Sequence, residues 1–517
     1  MRQISGMDEF FLHFERSGLP MHVGSVALFD TSAMGQGAPT FAQIREALRC
    51  SAERSPMLRK RLFHVPMRVD RPYWLEAQEL EIDEHVRLAS LPRPRSWARF
   101  CSELARLFET PLDLERPLWE AIVITDLEGI EGVPPNGFAV LTKAHHSVLD
   151  GVAGVELMDA FLDSSPEQER SEPVFERRPD TPPDALALIT ETFLRMSTRA
   201  GRLAGLAART LPAILKTQVG SLLPQSEPAP TATPSAPVCR TIFNGRPSPA
   251  RVFGGVRLDL QEVQALRGAV DGATVNDVIL AICGGALRRY LMATENPPVE
   301  SLIAVAPVSI RAAGTGSEGG NRVSMMTAAL GTEIADPLAR LQQVCKASRT
   351  SKKQSSELGA TTIVDTADLI PSALGELASR AYRALNLSSQ HAPLFNCVVT
   401  NVPGPPQPLY LAGAKMVANY GLGPIFDGVG LIHPVLSYDG GITIAFTSCP
   451  SMLREPALYQ ECIQSAFEEL QSAVNELGTL GRQLESQEPN DIEPSDIEPS
   501  DIEPSDIEPN NVTQLRR

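Results

Sequence analysis

The chain has 517 residues, 43% hydrophobic and 21% charged, with a formal net charge of −16. Ten of its acidic residues lie between Glu485 and Glu508, where no basic residue occurs, so the remainder carries only about −6, a poor match for nucleic acid. The length suits two domains, no apolar run of the ~18 residues needed to cross a membrane occurs, and Met1–Ser5 lack the apolar core of a signal peptide. Eight cysteines placed singly, with no C-x-x-C pair, point to reduced, mostly buried thiols and an intracellular setting.

Residues 1–180 alternate helix and strand signals, as in a layered α/β domain. Met7–Leu12 reads as a short opening helix, and Pro20–Gly24 leads into a strand, Ser25–Phe29. A helix over Thr40–Arg54, a strand at Tyr73–Leu75 and a helix over Trp97–Phe108 follow. Pro117-Leu118-Trp119-Glu120 then turns into the strand Ala121–Ile124.

The segment around which the chain is organised comes next: His145-His146-Ser147-Val148-Leu149-Asp150-Gly151. It lies between the apolar run Phe138–Leu141 and a helical pattern, Val152–Leu162, which puts two histidines at a strand end and a carboxylate at a helix start. A histidine there can serve as a general base, because its ordinary pKa is near working pH, while the aspartate fixes the loop by capping or by pairing with an arginine. A structural histidine pair satisfied by carbonyls is the plain alternative. A metal site is less favoured, because adjacent histidines point apart rather than sharing one helical face.

From Asp163 to Pro183 the sequence turns polar and proline-rich, closing the first domain. Over residues 181–237 an amphipathic crossover helix and a proline-rich linker are predicted. In Asp184–Val219, Leu186, Ile189, Phe193, Met196, Ala200, Leu203 and Ala207 form an apolar stripe, and Arg195, Arg199, Arg202 and Arg209 a cationic one. Such a helix suits an anionic lipid surface, or else packs on a domain with its arginines in water. A second α/β domain is predicted over 238–481, its strongest helix starting near Thr274-Val275-Asn276-Asp277. Leu302–Ala306 and Phe395–Thr400 read as strands, and Ser437–Gly441 as the turn of a hairpin. Gly314–Gly319 fits G-x-G-x-x-G, but Gly320-Asn321-Arg322 follows rather than a helix, which argues against a dinucleotide site. In the tail, 482–517, Asp-Ile-Glu-Pro recurs from Asp491, Asp496, Asp501 and Asp506; its prolines and low apolar content predict disorder.

No G-x-S-x-G and no P-loop pattern occurs, so the residues alone support a two-domain α/β enzyme using His146 as a base. The segment His145–Gly151 resembles the H-H-x-x-x-D-G signature of the bacterial wax ester synthase/diacylglycerol acyltransferase family. Asp8–Leu12 with Pro20–Gly24, Pro117–Glu120, Asn276-Asp277, Pro307–Arg311, Gly320–Arg322 and Asn401–Pro405 fit the same family in the same order, from about Ile4 to Leu470. The resemblance implies two related chloramphenicol-acetyltransferase-like domains flanking a central tunnel. It implies a long-chain acyl-CoA co-substrate, no bound cofactor or metal, and diacylglycerol or a long-chain fatty alcohol as acceptor. It assigns His146 as base and His145 as support. Asp150 is expected to orient the loop, paired with an arginine such as Arg311, and Asn276 to stand near the reaction centre. Gly151, Trp119, Asp277, Arg311 and Asn401 are the further substrate-binding candidates, although Trp119 also reads as core and Asp277 as a helix-start residue. A cytoplasmic enzyme held peripherally at the inner membrane or at lipid inclusions is expected. A carrier-protein-dependent enzyme of the same fold and an idle lipid-granule-binding homologue are the competing readings.

Overall fold

A computed structural model describes residues 2–148 (apart from 17, 36, 131 and 135), 158, 160–167, 184, 188–195, 238–309, 323–358 and 371–486. Residues Met1–Val474 form one compact unit and Asn475–Arg517 a second. Asp150, Gly151, Arg311, the Gly314–Gly319 glycines, most of the crossover and the repeat tail lie outside the described residues.

The helices, in chain order, are α1 (Gly6–Phe14), α2 (Phe41–Arg54), α3 (Ile82–His85), α4 (Trp97–Phe108), α5 (Leu260–Leu266), α6 (Val275–Ala293), α7 (Pro337–Leu358), α8 (Ser372–Ala384), α9 (Leu387–Gln390) and α10 (Pro456–Ser486). The strands are β1 (Arg2–Gln3), β2 (His22–Asp30), β3 (Lys60–Phe63), β4 (Tyr73–Glu76), β5 (Val86–Ser90), β6 (Trp119–Thr125), β7 (Phe138–His145) and β8 (Val252–Asp259). They continue with β9 (Ile303–Ser309), β10 (Val323–Ala329), β11 (Cys397–Pro403), β12 (Tyr410–Leu411), β13 (Ala414–Leu422), β14 (Ile432–Tyr438) and β15 (Gly441–Ser448).

The strands make two six-stranded sheets, ordered β12-β13-β2-β7-β6-β5 and β10-β9-β11-β14-β15-β8, and a small third sheet, β1-β4-β3. The first sheet is covered on both faces. Ala27, Phe29, Val123 and Val140 meet Ile44 and Leu48 of α2, while Val26, Leu28, Ile122 and Leu141 meet Phe100 and Leu104 of α4. Alternate side chains of each strand thus enter opposite cores, which is why β6 and β7 read as unbroken apolar runs. The second sheet buries Val256, Leu258, Val399, Val435 and Ile444 against α6 and α10, through Ile279, Ile282, Leu287 and Ile463.

Local chemistry sets the ends. Thr40 caps α2 and forms a reciprocal box with Gln43; Thr274 and Asp277 do the same for α6. The hairpin β14–β15 turns at Asp439 and Gly440, φ 42° and 75°, the left-handed pair that matches strand twist.

The sheets do not follow the order of the chain. Strand β13, from the second half, pairs antiparallel with β2 from Lys415↔Asp30 to Leu422↔Gly24, and so completes the first sheet. Thr443 of β15 donates from its hydroxyl to the Asn419 carbonyl of β13 at 2.7 Å, and the Tyr438 hydroxyl of β14 donates to the Met416 carbonyl at 3.0 Å. The two sheets therefore meet at β13.

The described part of the crossover differs from the expected stripes. Leu188 and Thr192 are buried, whereas Phe193 and Leu194 are exposed. Arg195 turns onto the protein, donating to the Gln3 side chain at 3.1 Å, pairing with Glu191 and lying over the Tyr73 ring. A guanidinium that finds an aromatic face and a side-chain amide is held there rather than offered outward.

Candidate active site

Strand β7 delivers the two histidines, and a single 3-10 turn, His146–Val148, separates their directions. Two distant segments fix the turn through the backbone. The His145 N–H donates to the Leu118 carbonyl at 2.9 Å, the His146 N–H donates to the Met21 carbonyl at 3.0 Å, and His22 lies opposite His145 in the β2–β7 register. His22 itself hydrogen-bonds the Phe108 carbonyl at 2.5 Å and is held neutral, far below its ordinary pKa, first by burial and then by the Lys143 charge. Lys143 is fully buried, paired with Glu120 at 2.6 Å and donating to the Leu107 and Thr110 carbonyls. These contacts explain Pro20–Gly24 and Pro117–Glu120 as parts of a clamp on β7.

His145 is buried. Its Nδ1 accepts from the Ser147 N–H at 3.2 Å and lies 2.6 Å from the Ser147 hydroxyl. The proton of a neutral ring is therefore assigned to Nε2, which faces the Glu15 carboxylate at 2.7 Å, off the line of a good hydrogen bond. Its Nδ1 is thus occupied by Ser147 and its Nε2 held against a carboxylate, an arrangement suited to support.

His146 is the opposite case. Neither of its ring nitrogens is hydrogen-bonded to another described residue, and Nδ1 is buried. The ring stacks on Phe11 of α1, centroids 3.8 Å apart and planes 17° from parallel. It is half-buried yet deep in the protein mass, and desolvation, with a smaller contribution from His145, pushes its pKa down to about 4. An imidazole that is neutral at working pH, with neither nitrogen bonded to another side chain among the described residues, has the chemistry to take a proton from a bound hydroxyl.

Helix α1 forms the roof. Besides Phe11 and, just past its end, Glu15, it carries the buried Glu9, which accepts from Ser372 of α8 and lies 3.2 Å from Arg71 Nε. Behind the turn a polar cavity of about 270 Å³ is lined by Arg2, Ser5, Asp8, Lys60, Trp74 and Ser147, among others.

The remaining candidates fall into place unevenly. Trp119 is buried, donates its N–H to the Leu58 carbonyl at 2.7 Å and stacks on His85, so its polar group and one face are committed to the core rather than offered to a substrate. Asp277 is buried in the α6 capping box, with Oδ2 receiving the Thr274 N–H and hydroxyl. Asn276 stands beside it, partly buried, with no side-chain hydrogen bond to the histidine turn among the described residues. Asn401 is partly buried in β11 opposite Val435. At Gly404 a Cβ would lie 2.2 Å from the Ser437 carbonyl oxygen and 3.7 Å from Met158, so this glycine lets β11 run close to β14 beside the segment that follows the motif. Among the described residues no group of three or more His, Cys, Asp or Glu side chains is placed to hold a metal ion.

Sequence reasoning missed Phe11, Glu15 and Ser147. The signal available was the Asp8–Leu12 block, whose partner across the fold no local pattern reveals.

The profile of the wax ester synthase/diacylglycerol acyltransferase catalytic domain matches residues 4–279, and that of its C-terminal domain residues 319–471. A Mycobacterium tuberculosis protein described as a probable diacylglycerol O-acyltransferase is 31% identical over 90% of this chain and 98% of its own length. The structure of the wax ester synthase/diacylglycerol acyltransferase from Marinobacter aquaeolei VT8 superposes with a TM-score of 0.62 and 26% identity, covering 92% of this chain and all of that one. The first condensation domain of the calcium-dependent antibiotic synthetase shares the fold, with a TM-score of 0.52 at 15% identity over 92% of this chain and 96% of that one.

Proposed function

Since the chain belongs to the wax ester synthase/diacylglycerol acyltransferase family, we propose that it moves a long-chain acyl group from acyl-CoA to the hydroxyl of diacylglycerol or a fatty alcohol, with His146 as the base. The products are triacylglycerol or wax ester, and coenzyme A. Donor and acceptor reach His146 through a tunnel between the two halves, at a membrane or lipid-inclusion surface.

The placement of the His146 ring, stacked on Phe11 with neither nitrogen hydrogen-bonded to another described residue, is the observation that supports this reading, and burial lowers its pKa to about 4. One ring nitrogen accepts the acceptor's hydroxyl proton as the oxygen attacks the thioester carbonyl. The tetrahedral intermediate collapses with cleavage of the C–S bond, and the imidazolium returns its proton to the departing thiolate. No covalent acyl-enzyme is required. His145, locked by Ser147 and Glu15, keeps the turn in place; Asp150 orients the far side of the loop, paired with Arg311, and carries no proton.

The test is coenzyme A release from palmitoyl-CoA with hexadecanol and dioleoylglycerol as separate acceptors, with lipid products resolved. His146→Ala, folded as judged by circular dichroism, is expected to lose thiol release and ester formation together, by at least about a hundredfold. Ester formation surviving in His146→Ala, or a folded wild type inert with both acceptors, would overturn the reading.

A further inference from the structure

The carboxylate that faces His145 stands just past the end of α1, where residues from the second half of the chain hold the backbone. Glu15 has left the helix with an extended conformation, φ −64° and ψ 138°, so its side chain and that of Arg16 diverge. Glu15 reaches to 2.7 Å from His145 Nε2, and Arg16 goes the other way, donating from Nη2 to Asp427 Oδ1 at 2.7 Å. Directly beyond, the backbones of Arg16 and Leu19 bond to each other, and the Gly18 carbonyl accepts from Arg251 at 3.1 Å.

Asp427 is a firm anchor. It lies in the loop over residues 423–431, between β13 and β14, where Phe426 and Val429 exchange backbone hydrogen bonds. The N–H groups of Gly428 and Gly430 donate to the Gly245 and Phe243 carbonyls, each at 2.8 Å, and the buried Asn244 donates to the Gly428 carbonyl at 3.0 Å. The ion pair itself is mostly out of water, its side chains 19% and 8% exposed. Burial pushes Arg16 below its ordinary pKa, the Asp427 charge opposes that shift, and Arg246 and Arg383 nearby add to it. Without the Asp427 charge, a partly desolvated guanidinium is left beside two like charges, and moving away is its easiest relief. Any such movement carries Glu15, one peptide bond away.

We propose that Arg16 and Asp427 are positioning residues for acyl transfer: their pairing sets Glu15 against His145, and through His145 the turn that presents His146. This rests on His146 being the base, as proposed above. A misplacement of about 1 Å at a reaction centre can cost roughly a hundredfold in rate, so a pair two steps removed from the base can still control kcat.

The experiment measures kcat and KM for coenzyme A release from palmitoyl-CoA in wild type, Asp427→Ala, Glu15→Ala and the double variant Glu15→Ala, Asp427→Ala. Asp427→Ala should lower kcat about tenfold, with KM changed by less than about twofold. Beside Glu15→Ala the same change should lower kcat no further, because the residue through which it acts is gone. Lys415→Ala, which removes the more exposed ion pair with Asp439 on β13, should leave kcat unaltered. If Asp427→Ala does not fold, Arg16→Gln takes its place, with the same loss expected alone and the same absence of further loss beside Glu15→Ala. Spectra of 15N-labelled histidine side chains give a readout independent of turnover: the imidazole resonance displaced by Glu15→Ala should also be displaced by Asp427→Ala. Unchanged kcat in a folded Asp427→Ala, or losses that multiply in the double variant, overturns the proposal. A wild type that transfers no acyl group sinks the proposed reaction instead, and the spectra then decide the pairing: an imidazole resonance unmoved by Asp427→Ala overturns it.

Discussion

Removing the Phe11 ring should move the acid limb of the pH–rate profile. The low pKa of His146, about 4, comes first from desolvation, and Phe11 covers one face of the imidazole at 3.8 Å. Full return to the ordinary 6.5 is the upper limit of the effect, roughly 3 kcal/mol in the protonation equilibrium at ~1.36 kcal/mol per pH unit. Phe11→Ala wets one face only, so a rise of about one unit is the working expectation. The sign follows from which form is active. A base with pKa near 4 is roughly 97% neutral at pH 5.5, so wild-type kcat/KM should hardly change between pH 7.5 and 5.5. With a pKa of 6.5 only about one-eleventh would be neutral at pH 5.5, and the rate would fall roughly tenfold. The assay is kcat/KM for coenzyme A release from pH 4.5 to 8, each variant normalised to its own plateau so that mispositioning is separated from titration. Phe11→Leu, which keeps apolar cover, should resemble wild type. Superimposable acid limbs for wild type and Phe11→Ala, or a wild-type limb already centred near 6.5, would refute the reasoning.

Glu15→Ala leaves the Nε2–H of His145 facing no acceptor in a buried site and should cost about 1–3 kcal/mol by urea denaturation, with kcat lowered more than KM is raised; Glu15→Gln, which can present an amide oxygen, should recover much of both. His433 is fully buried, bonded to the Tyr459 hydroxyl at 2.6 Å, and burial pushes its pKa down to about 4. Because the unfolded chain binds this proton below pH 6.5 and the folded one does not, the stability it contributes is complete above pH 6.5 and is lost as pH falls to about 4. That amounts to about 3 kcal/mol, absent from the urea-denaturation pH profile of His433→Gln. Gly404→Ala forces β11 away from the Ser437 carbonyl and should lower stability by about 1–3 kcal/mol, read as a drop in thermal midpoint.

Much of the fold was readable because the cues are local. The Thr40 and Thr274 capping boxes, the apolar runs at Ala121–Ile124 and Phe138–Leu141, and the Asp439-Gly440 turn each carry their own instruction in neighbouring residues. His146 stood out for the same reason, as a titratable group at a strand end. Its environment did not. That Phe11 covers it, that Glu15 faces His145, and that Leu118 and Met21 pin the turn are facts of tertiary packing, which no window of sequence contains. Trp119 and Asp277 show the converse: residues whose chemistry suits a site but whose hydrogen bonds are spent on the Leu58 carbonyl and the start of α6. Arg195 belongs with them, since a cationic stripe drawn on a wheel says nothing of the Tyr73 ring waiting on another strand.

The pairing of β13 with β2 has a temporal consequence during synthesis. When His146 leaves the ribosome, its strand can find β2 and β6, but β2 keeps an open edge until Ala414–Leu422 is made. Until then the nascent chain carries His146 beside an unsealed apolar strand, a state prone to edge-to-edge association. Closing that edge late ties the setting of the histidine turn to a strand made long after it. A truncated polypeptide stopping before residue 414 would own every residue of the histidine turn and still lack the strand that seals its sheet.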